Sequence, residues 1–321
     1  VVFVGNPENH TDVMPGFMDY WNVTGMTSSD LILEPERSRY QAYFDYILSL
    51  PVNLAESQLW NEVSGSEEVR AMPSQMFSIQ TFDGLTLYGQ YYEYAPGAPI
   101  ELMIHGYRGS SERDMSGGVQ RAFRLGRSAL IIDQRASGRS EGNVITFGVR
   151  EHRDCLAWVD FMVKKFGPDV KIILTGISMG ASTVLMASGQ ELPENVIGIL
   201  ADCGYTSARE IIHKILRQIH LPIRLVYPFV KLGARLFAGF DLEQADARKA
   251  VRNCTRPVIF YHGDGDDFVP WEMSRDNHAA CPSRKKLVII PGAGHGLSFP
   301  ADQERYVAEL REFFGPEASA D

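Results

Sequence analysis

Ser178 stands between two glycines, in Gly176-Ile177-Ser178-Met179-Gly180, where the apolar run of residues 171–177 ends and the helix-like stretch of residues 182–192 begins. A hydroxyl carried on a tight strand-to-helix turn is lifted clear of the sheet, and such a turn accepts only small neighbours, which the glycines supply. In an open parallel sheet, sites form beyond the carboxyl ends of the strands, so a nucleophile is expected at this point. The next amide, Met179 N–H, opens the helix and is placed to donate to an oxyanion with the helix dipole behind it. Among 29 glycines the bare motif also arises by chance. The strand before it and the helix after it weigh for a nucleophile, which then requires a base and an acid to orient that base.

Of eight histidines, His295 is the expected base. It follows the last strand-like segment and lies between Gly294 and Gly296, which leave the loop free to bring an imidazole over Ser178. His105 and His262 each precede a glycine at a strand end, where hydrogen bonding within a loop is the expected role; His10, His152, His213, His220 and His278 fall on helical or terminal surface patterns. The acid is sought in "HGDGDDFVP", residues 262–270, where Asp264, Asp266 and Asp267 crowd together. A calcium loop is excluded there, because Phe268, Val269 and Arg275 occupy positions that need a ligand, a glycine and a glutamate. Asp266 is favoured because the chain order Ser178, Asp266, His295 is the one expected for this type of turn. Asp202 is the alternative acid, and Asp264 and Asp267 are expected in a hydrogen-bonded turn.

These residues need a scaffold. Strand-like segments occur at residues 100–106, 129–135, 171–178, 195–203, 256–264 and 285–295, each with a Val, Ile or Leu core, and amphipathic helical patterns lie between most of them. Continuous apolar strands separated by such helices predict an α/β fold, a mostly parallel central sheet with helices on both faces. Ahead of them, two alternating apolar runs flank Asp83-Gly84, a dipeptide suited to a tight hairpin. Residues 1–74 read as a helical N-terminal extension, with Tyr40, Tyr43, Phe44, Ile47 and Leu48 at helical spacing. Residues 75–316 form the expected catalytic domain. Between about 205 and 250 the helical stretches exceed what a crossover needs and are expected to form a small helical cap. Its Leu221, Ile223, Leu225, Val226, Phe229, Val230, Leu232, Leu236 and Phe237 either mark a site for apolar substrates or pack the cap onto the body.

Composition narrows the classes of function. The 321 residues are 45% hydrophobic and 22% charged, ordinary for a folded chain, and the net charge of -9 comes without a basic stripe for a phosphate backbone. Nucleic acid is therefore not an expected partner. Cys155, Cys203, Cys254 and Cys281 lie far apart without zinc-ligand spacing and read as free thiols; neither a metal nor an organic cofactor is implied. The longest apolar stretch, residues 221–240, is interrupted by Arg224, Lys231 and Arg235, so no transmembrane helix is expected. A cytoplasmic location follows, with a removed signal or anchor ahead of Val1 left open.

Several of these motifs together resemble the alpha/beta-hydrolase superfamily, over about residues 75–316. "GISMG" resembles its nucleophile elbow, "HGDGDDFVP" its acid loop, "GAGHG" its histidine loop, "DQRASGRSEG" at residues 133–142 a further family loop, and "IHGYRGSS" its oxyanion loop. The nearest likeness is to bacterial single-domain members with a short helical cap, labelled carboxylesterases or acyl-peptidase-like hydrolases. The resemblance implies the alpha/beta-hydrolase fold, catalysis by Ser178, Asp266 and His295, and an oxyanion hole formed by the backbone N–H groups of Met179 and Tyr107. It assigns Asp133, Arg135 and Ser140 to bracing a loop in which Ala136 or Ser137 replaces a usual glycine. The expected activity is hydrolysis of a small ester with an apolar acyl or aryl group. A peptidase or amidase, a transferase or lyase using the same residues, and a non-catalytic binding protein are the alternatives.

Overall fold

The computed structural model describes residues 66–315. The extension expected over residues 1–74 lies outside the described residues apart from residues 66–74, which begin with the short helix α1 (Ser66–Ala71). The strands are β1 (Gln75–Gln80), β2 (Thr86–Tyr92), β3 (Ile100–Ile104), β4 (Ser128–Ile132), β5 (Ile172–Ile177), β6 (Val196–Asp202), β7 (Val258–Gly263) and β8 (Lys285–Ile290). They form one sheet in the order β1-β2-β4-β3-β5-β6-β7-β8. The hairpin β1–β2 turns at Gly84, whose φ of 86° favours glycine, and pairs antiparallel onto β4; every other pairing is parallel.

Parallel strands need crossovers, and helices supply them: α2 (Ser111–Arg124) after β3, α3 (Glu151–Phe166) after β4, and α4 (Met179–Ser188) after β5. Three helices, α5 (Ala208–Gln218), α6 (Ile223–Phe237) and α7 (Ala247–Ala250), separate β6 from β7. The chain closes with α8 (Trp271–Ala280) after β7 and with α9 (Ser298–Ala301) and α10 (Gln303–Phe314) after β8. Side chains alternate across each strand, so the apolar runs serve two cores. Leu102, Leu130 and Leu174 meet Trp158 of α3 and Leu185 of α4 on one face. On the other, Met103 and Ile131 meet Val119 of α2, and Ile173, Leu200 and Ile259 meet Leu310 of α10. This is the doubly covered, mostly parallel sheet that the sequence predicts.

One charge is buried within that sheet. Glu101 of β3 is fully buried and accepts hydrogen bonds from Arg121 Nη2 at 2.6 Å, Arg127 Nη1 at 2.8 Å and Thr175 Oγ1 at 3.1 Å. Burial opposes its ionisation, but the two guanidiniums outweigh it and hold the carboxyl below its ordinary range. Glu101→Ala would leave two buried guanidiniums without their counter-charge, and is expected to cost about 3–5 kcal/mol in urea unfolding.

The β6–β7 insertion has its own apolar cluster. Ile211, Ile212 and Leu216 of α5 and Tyr227 and Ala234 of α6 pack with Met179, Tyr205 and Val269, next to the expected nucleophile and acid loop. Pro228 sits inside α6 rather than ending it. Of the nine apolar residues that raised a choice between substrate binding and packing, Ile223, Val226 and Val230 pack inward. Leu221, Leu225, Phe229, Leu232, Leu236 and Phe237 instead face solvent, so the packing expectation fails for these six. No helix among the described residues is long and apolar enough to cross a membrane.

Candidate active site

Ser178 occupies the turn between β5 and α4 with φ 55° and ψ −117°, a backbone conformation that costs a non-glycine residue about 1–3 kcal/mol and persists only where its surroundings enforce it. Those surroundings are close. A Cβ on Gly176 would lie 2.2 Å from the Gly180 carbonyl oxygen, and one on Gly180 would lie 2.0 Å from that of Ile104. Ser178 N–H is tied to Asp202 O at 2.8 Å. Gly180→Ala, which forces backbone against backbone, is expected to destabilise the chain by more than about 3 kcal/mol, read as a fall in the thermal midpoint, or to prevent folding.

The expected base and acid come to the same place. His295 Nε2 lies 2.9 Å from Ser178 Oγ, and His295 Nδ1 lies 2.7 Å from Asp266 Oδ2. A carboxylate only accepts, so Nδ1 carries the proton and donates, which leaves the Nε2 lone pair for the serine hydroxyl. Ser178 is 8% exposed and the His295 side chain 28%, so the pair can be reached from solvent. Phe268 stands edge-on to the imidazole at 5.0 Å.

Asp266 is held on both oxygens. Oδ1 accepts from Phe268 N at 2.9 Å and Val269 N at 2.8 Å, and Oδ2 is shared between His295 and His262 Nε2, the latter at 3.1 Å. His262 Nε2 also lies 2.8 Å from Val269 O, so between two acceptors it bears the proton, and its Nδ1 accepts from Ser274 Oγ at 2.7 Å. Burial would raise the Asp266 pKa, but the two imidazoles and their hydrogen bonds hold it well below the usual carboxylate range. For His295, burial disfavours the imidazolium, and the Asp266 carboxylate, with the neighbouring Cys203 sulfur adding to it, outweighs burial to raise its pKa above the ordinary 6.5.

The alternative acid is engaged elsewhere. Asp202 Oδ1 accepts from Ser298 Oγ at 2.8 Å and Oδ2 from Tyr306 Oη at 3.0 Å, which anchors the chain three residues beyond His295. Asp264 accepts from Gly292 N at 2.5 Å, a bond to the loop after β8 rather than within its own turn, and the Asp267 carbonyl oxygen accepts from Lys214 Nζ of α5, as does that of Phe268 at 2.7 Å.

The loop carrying Tyr107 abuts the nucleophile, since a Cβ on Gly106 would lie 3.5 Å from Ser178 Cβ. His105 fixes this loop as expected: Nδ1 donates to Gly106 O at 2.7 Å and Nε2 accepts from Gln134 N at 3.0 Å. The Tyr107 ring stacks on Phe147 at 5.4 Å. Met179 N–H is the first amide of α4. Bracing by Asp133, Arg135 and Ser140 is also as expected. Asp133 accepts from Ser111 N and Arg139 N, Ser140 Oγ donates to Asp133 O, and Arg135 joins Asp154 of α3 to Asp83 of the hairpin. Ala136 adopts a φ of 60° there, where a glycine would be unstrained.

Two neighbours of the site escaped the sequence reading. The position of His262 at a strand end predicts a hydrogen bond within a loop, but does not single out Asp266 as its partner. Cys203 reads from the sequence only as a thiol, yet its sulfur, an Asp266 oxygen and a His295 nitrogen lie within 4.8 Å of one another. These are ligand types that a metal takes. However, Asp266 already accepts four donors, and burial raises the Cys203 thiol to about 11, so it stays protonated at neutral pH. All four cysteines are buried free thiols.

The arrangement can move a proton from the serine hydroxyl to an imidazole while a buried carboxylate compensates the charge. Comparison with other proteins places the chain in context. The model of the alpha/beta hydrolase family matches residues 102–310. Uncharacterized protein YqkD of Bacillus subtilis is 25% identical over 190 residues, 59% of this chain, and the match spans 62% of that relative's length. Uncharacterized protein Rv2307c of Mycobacterium tuberculosis is 26% identical over 239 residues, 73% of this chain and 77% of its own. Among solved structures, the Pyrococcus furiosus esterase Pf2001 superposes with a TM-score of 0.60 at 21% identity, covering 77% of this chain and 93% of that one. Est1E from Butyrivibrio proteoclasticus, solved with ferulic acid bound, gives 0.54 at 21% identity, covering 74% and 97%.

Proposed function

Because the chain belongs to the alpha/beta hydrolase family, we propose that it is a serine hydrolase that cleaves carboxylic esters through an acyl-enzyme on Ser178. The observation that carries this reading is the continuous hydrogen-bond relay from Ser178 Oγ through His295 to Asp266.

Ser178 Oγ attacks the ester carbonyl carbon while His295 Nε2 takes the hydroxyl proton, and Asp266 stabilises the imidazolium and holds its tautomer. The developing oxyanion is received by the backbone N–H groups of Met179 and Tyr107. The bond between the acyl carbon and the alkoxide oxygen then breaks as His295 returns the proton to that oxygen; the alcohol departs and the acyl group stays bonded to Ser178 Oγ. Water, deprotonated by His295, attacks the acyl carbon; the acid departs and Ser178 regains its proton. The role of His262 is to position Asp266.

Residues 75–316 constitute the catalytic domain in this reading, with α5 and α6 as a cap over the site. The apolar cluster joining the cap to Met179 and Val269 supports a small ester with an apolar acyl or aryl group. Ester rather than amide hydrolysis is supported by the structural likeness to a protein named as an esterase.

The test is hydrolysis of p-nitrophenyl esters from acetate to palmitate, with Ser178→Ala as the control. A serine-dependent maximum at one chain length is the expected result. Equal rates in both proteins, or none in either, would contradict an esterase acting through Ser178.

A further inference from the structure

Among the described residues, exposed apolar surface is concentrated on one helix and the turn that leads into it. Of eleven large apolar side chains exposed among the described residues, seven lie within residues 219–237. On α6, Leu225, Phe229, Leu232 and Leu236 are 67%, 74%, 50% and 67% exposed. Their spacing of four, three and four gathers them within about 60° of arc. The opposite side of α6 is already used, since Tyr227 and Ala234 are buried in the insertion's own core. Among the described residues the stripe is therefore a second apolar face with no partner, whereas folded monomers scatter such residues singly.

Its border is basic. No Asp or Glu occurs between Glu210 and Asp241, while Lys214, Arg217, Arg224, Lys231 and Arg235 do. Lys231 pairs with Glu243 at 2.9 Å and Arg235 with Asp241 at 2.7 Å, and Lys214 is held by the acid loop; Arg217 and Arg224 are exposed. At ordinary ionic strength charges act over about 8 Å, so this local sign counts for more than the net charge of the chain.

We propose that α6 docks the protein on the surface of an anionic lipid bilayer, with the Leu225–Phe229–Leu232–Leu236 stripe at the boundary between headgroups and acyl chains and the arginines against lipid phosphates. A helix with an apolar stripe, a cationic border and no acids matches what such an interface takes. A second copy of the chain fits less well, because a contact through the same stripe would bring no acid from residues 211–240 to meet the cations. The stripe is carried by the helix pair whose Lys214 touches the acid loop, so docking brings the Ser178 site to the membrane surface.

Sedimentation of the full chain with vesicles tests this, using phosphatidylcholine with phosphatidylglycerol at about 7:3 against phosphatidylcholine alone. The chain is expected to pellet with the anionic vesicles at least about tenfold more strongly than with the neutral ones, and to be released by about 0.5 M salt. Phe229→Ser/Leu232→Ser/Leu236→Ser is expected to weaken binding at least about 30-fold, and Arg217→Gln/Arg224→Gln about 25-fold, or about fivefold per cation. Because these side chains face solvent, both variants should keep the wild-type circular dichroism spectrum and melting curve. Failure of the wild type to bind, or binding unchanged in both variants, overturns the proposal. So does a dimer that the stripe substitutions dissociate while no vesicle binding is seen. The readout is binding and does not depend on which reaction Ser178 performs.

Discussion

Ser178→Ala is expected to lower kcat/KM for a p-nitrophenyl ester by about 10^4- to 10^6-fold while leaving the fold intact. The loss is this large because in the proposed cycle the hydroxyl is the attacking atom, and His295 and Asp266 act only through it. Water activated by His295 could recover only a small part of the rate. The substitution removes one oxygen from a residue whose backbone is fixed by Gly176, Gly180 and the hydrogen bond to Asp202 O, so the alanine takes the same turn. Circular dichroism and the melting curve should therefore match the wild type. A Ser178→Ala protein with more than a few per cent of wild-type activity would place the nucleophile elsewhere.

The second large effect is expected at Asp266. Asp266→Asn keeps an acceptor near His295 Nδ1 but removes the negative charge, and the amide can favour the tautomer that protonates Nε2, the atom needed as base. A loss of about 10^4-fold in kcat is expected. The pH profile carries an independent sign. His295 must be neutral to accept the serine proton, so activity falls as pH drops through its pKa. In the wild type, Asp266 raises that pKa above 6.5, and the acidic limb of kcat/KM should lie above this value. In Asp266→Asn the largest influence that raises the imidazole is lost while burial still opposes its charge, so the limb of the residual activity should move to lower pH than in the wild type. A limb that stays in place would mean that Asp266 does not face the base.

Much of this was legible in the chain because the relevant signals are local. Five of the six strand-like segments contain an observed strand and the sixth overlaps one, each trimmed where the apolar run continues into a loop: residues 285–295 give Lys285–Ile290, and residues 129–135 give Ser128–Ile132, which starts one residue earlier. Gly176 and Gly180 are readable for the same reason, since each is required by a contact within a few residues or with the adjacent strand. The choice of Asp266 over Asp202 rested on chain order; the structure adds the physical reason, which is that Ser298 and Tyr306 occupy both oxygens of Asp202.

What stayed hidden depends on packing between distant segments. Glu101 in an apolar strand gives no hint that Arg121 and Arg127 will enclose it. His262 was visible as a loop histidine, but its hold on Asp266 depends on how residues 262–270 fold back on themselves. Cys203 approaches His295 only because β6 and the loop after β8 end on the same side of the sheet. The solvent-facing stripe of α6 was hidden for another reason: α6 is apolar on two faces, and periodicity cannot say which of them the body covers.

The most direct test of the central claim is intact-mass and peptide-mass analysis of the full chain after reaction with a fluorophosphonate. A single adduct on the peptide containing Ser178, absent from Ser178→Ala and much slower to form in Asp266→Asn, is the expected result. No adduct on the folded protein, or an adduct on a residue other than Ser178, would contradict the assignment of Ser178 as the nucleophile.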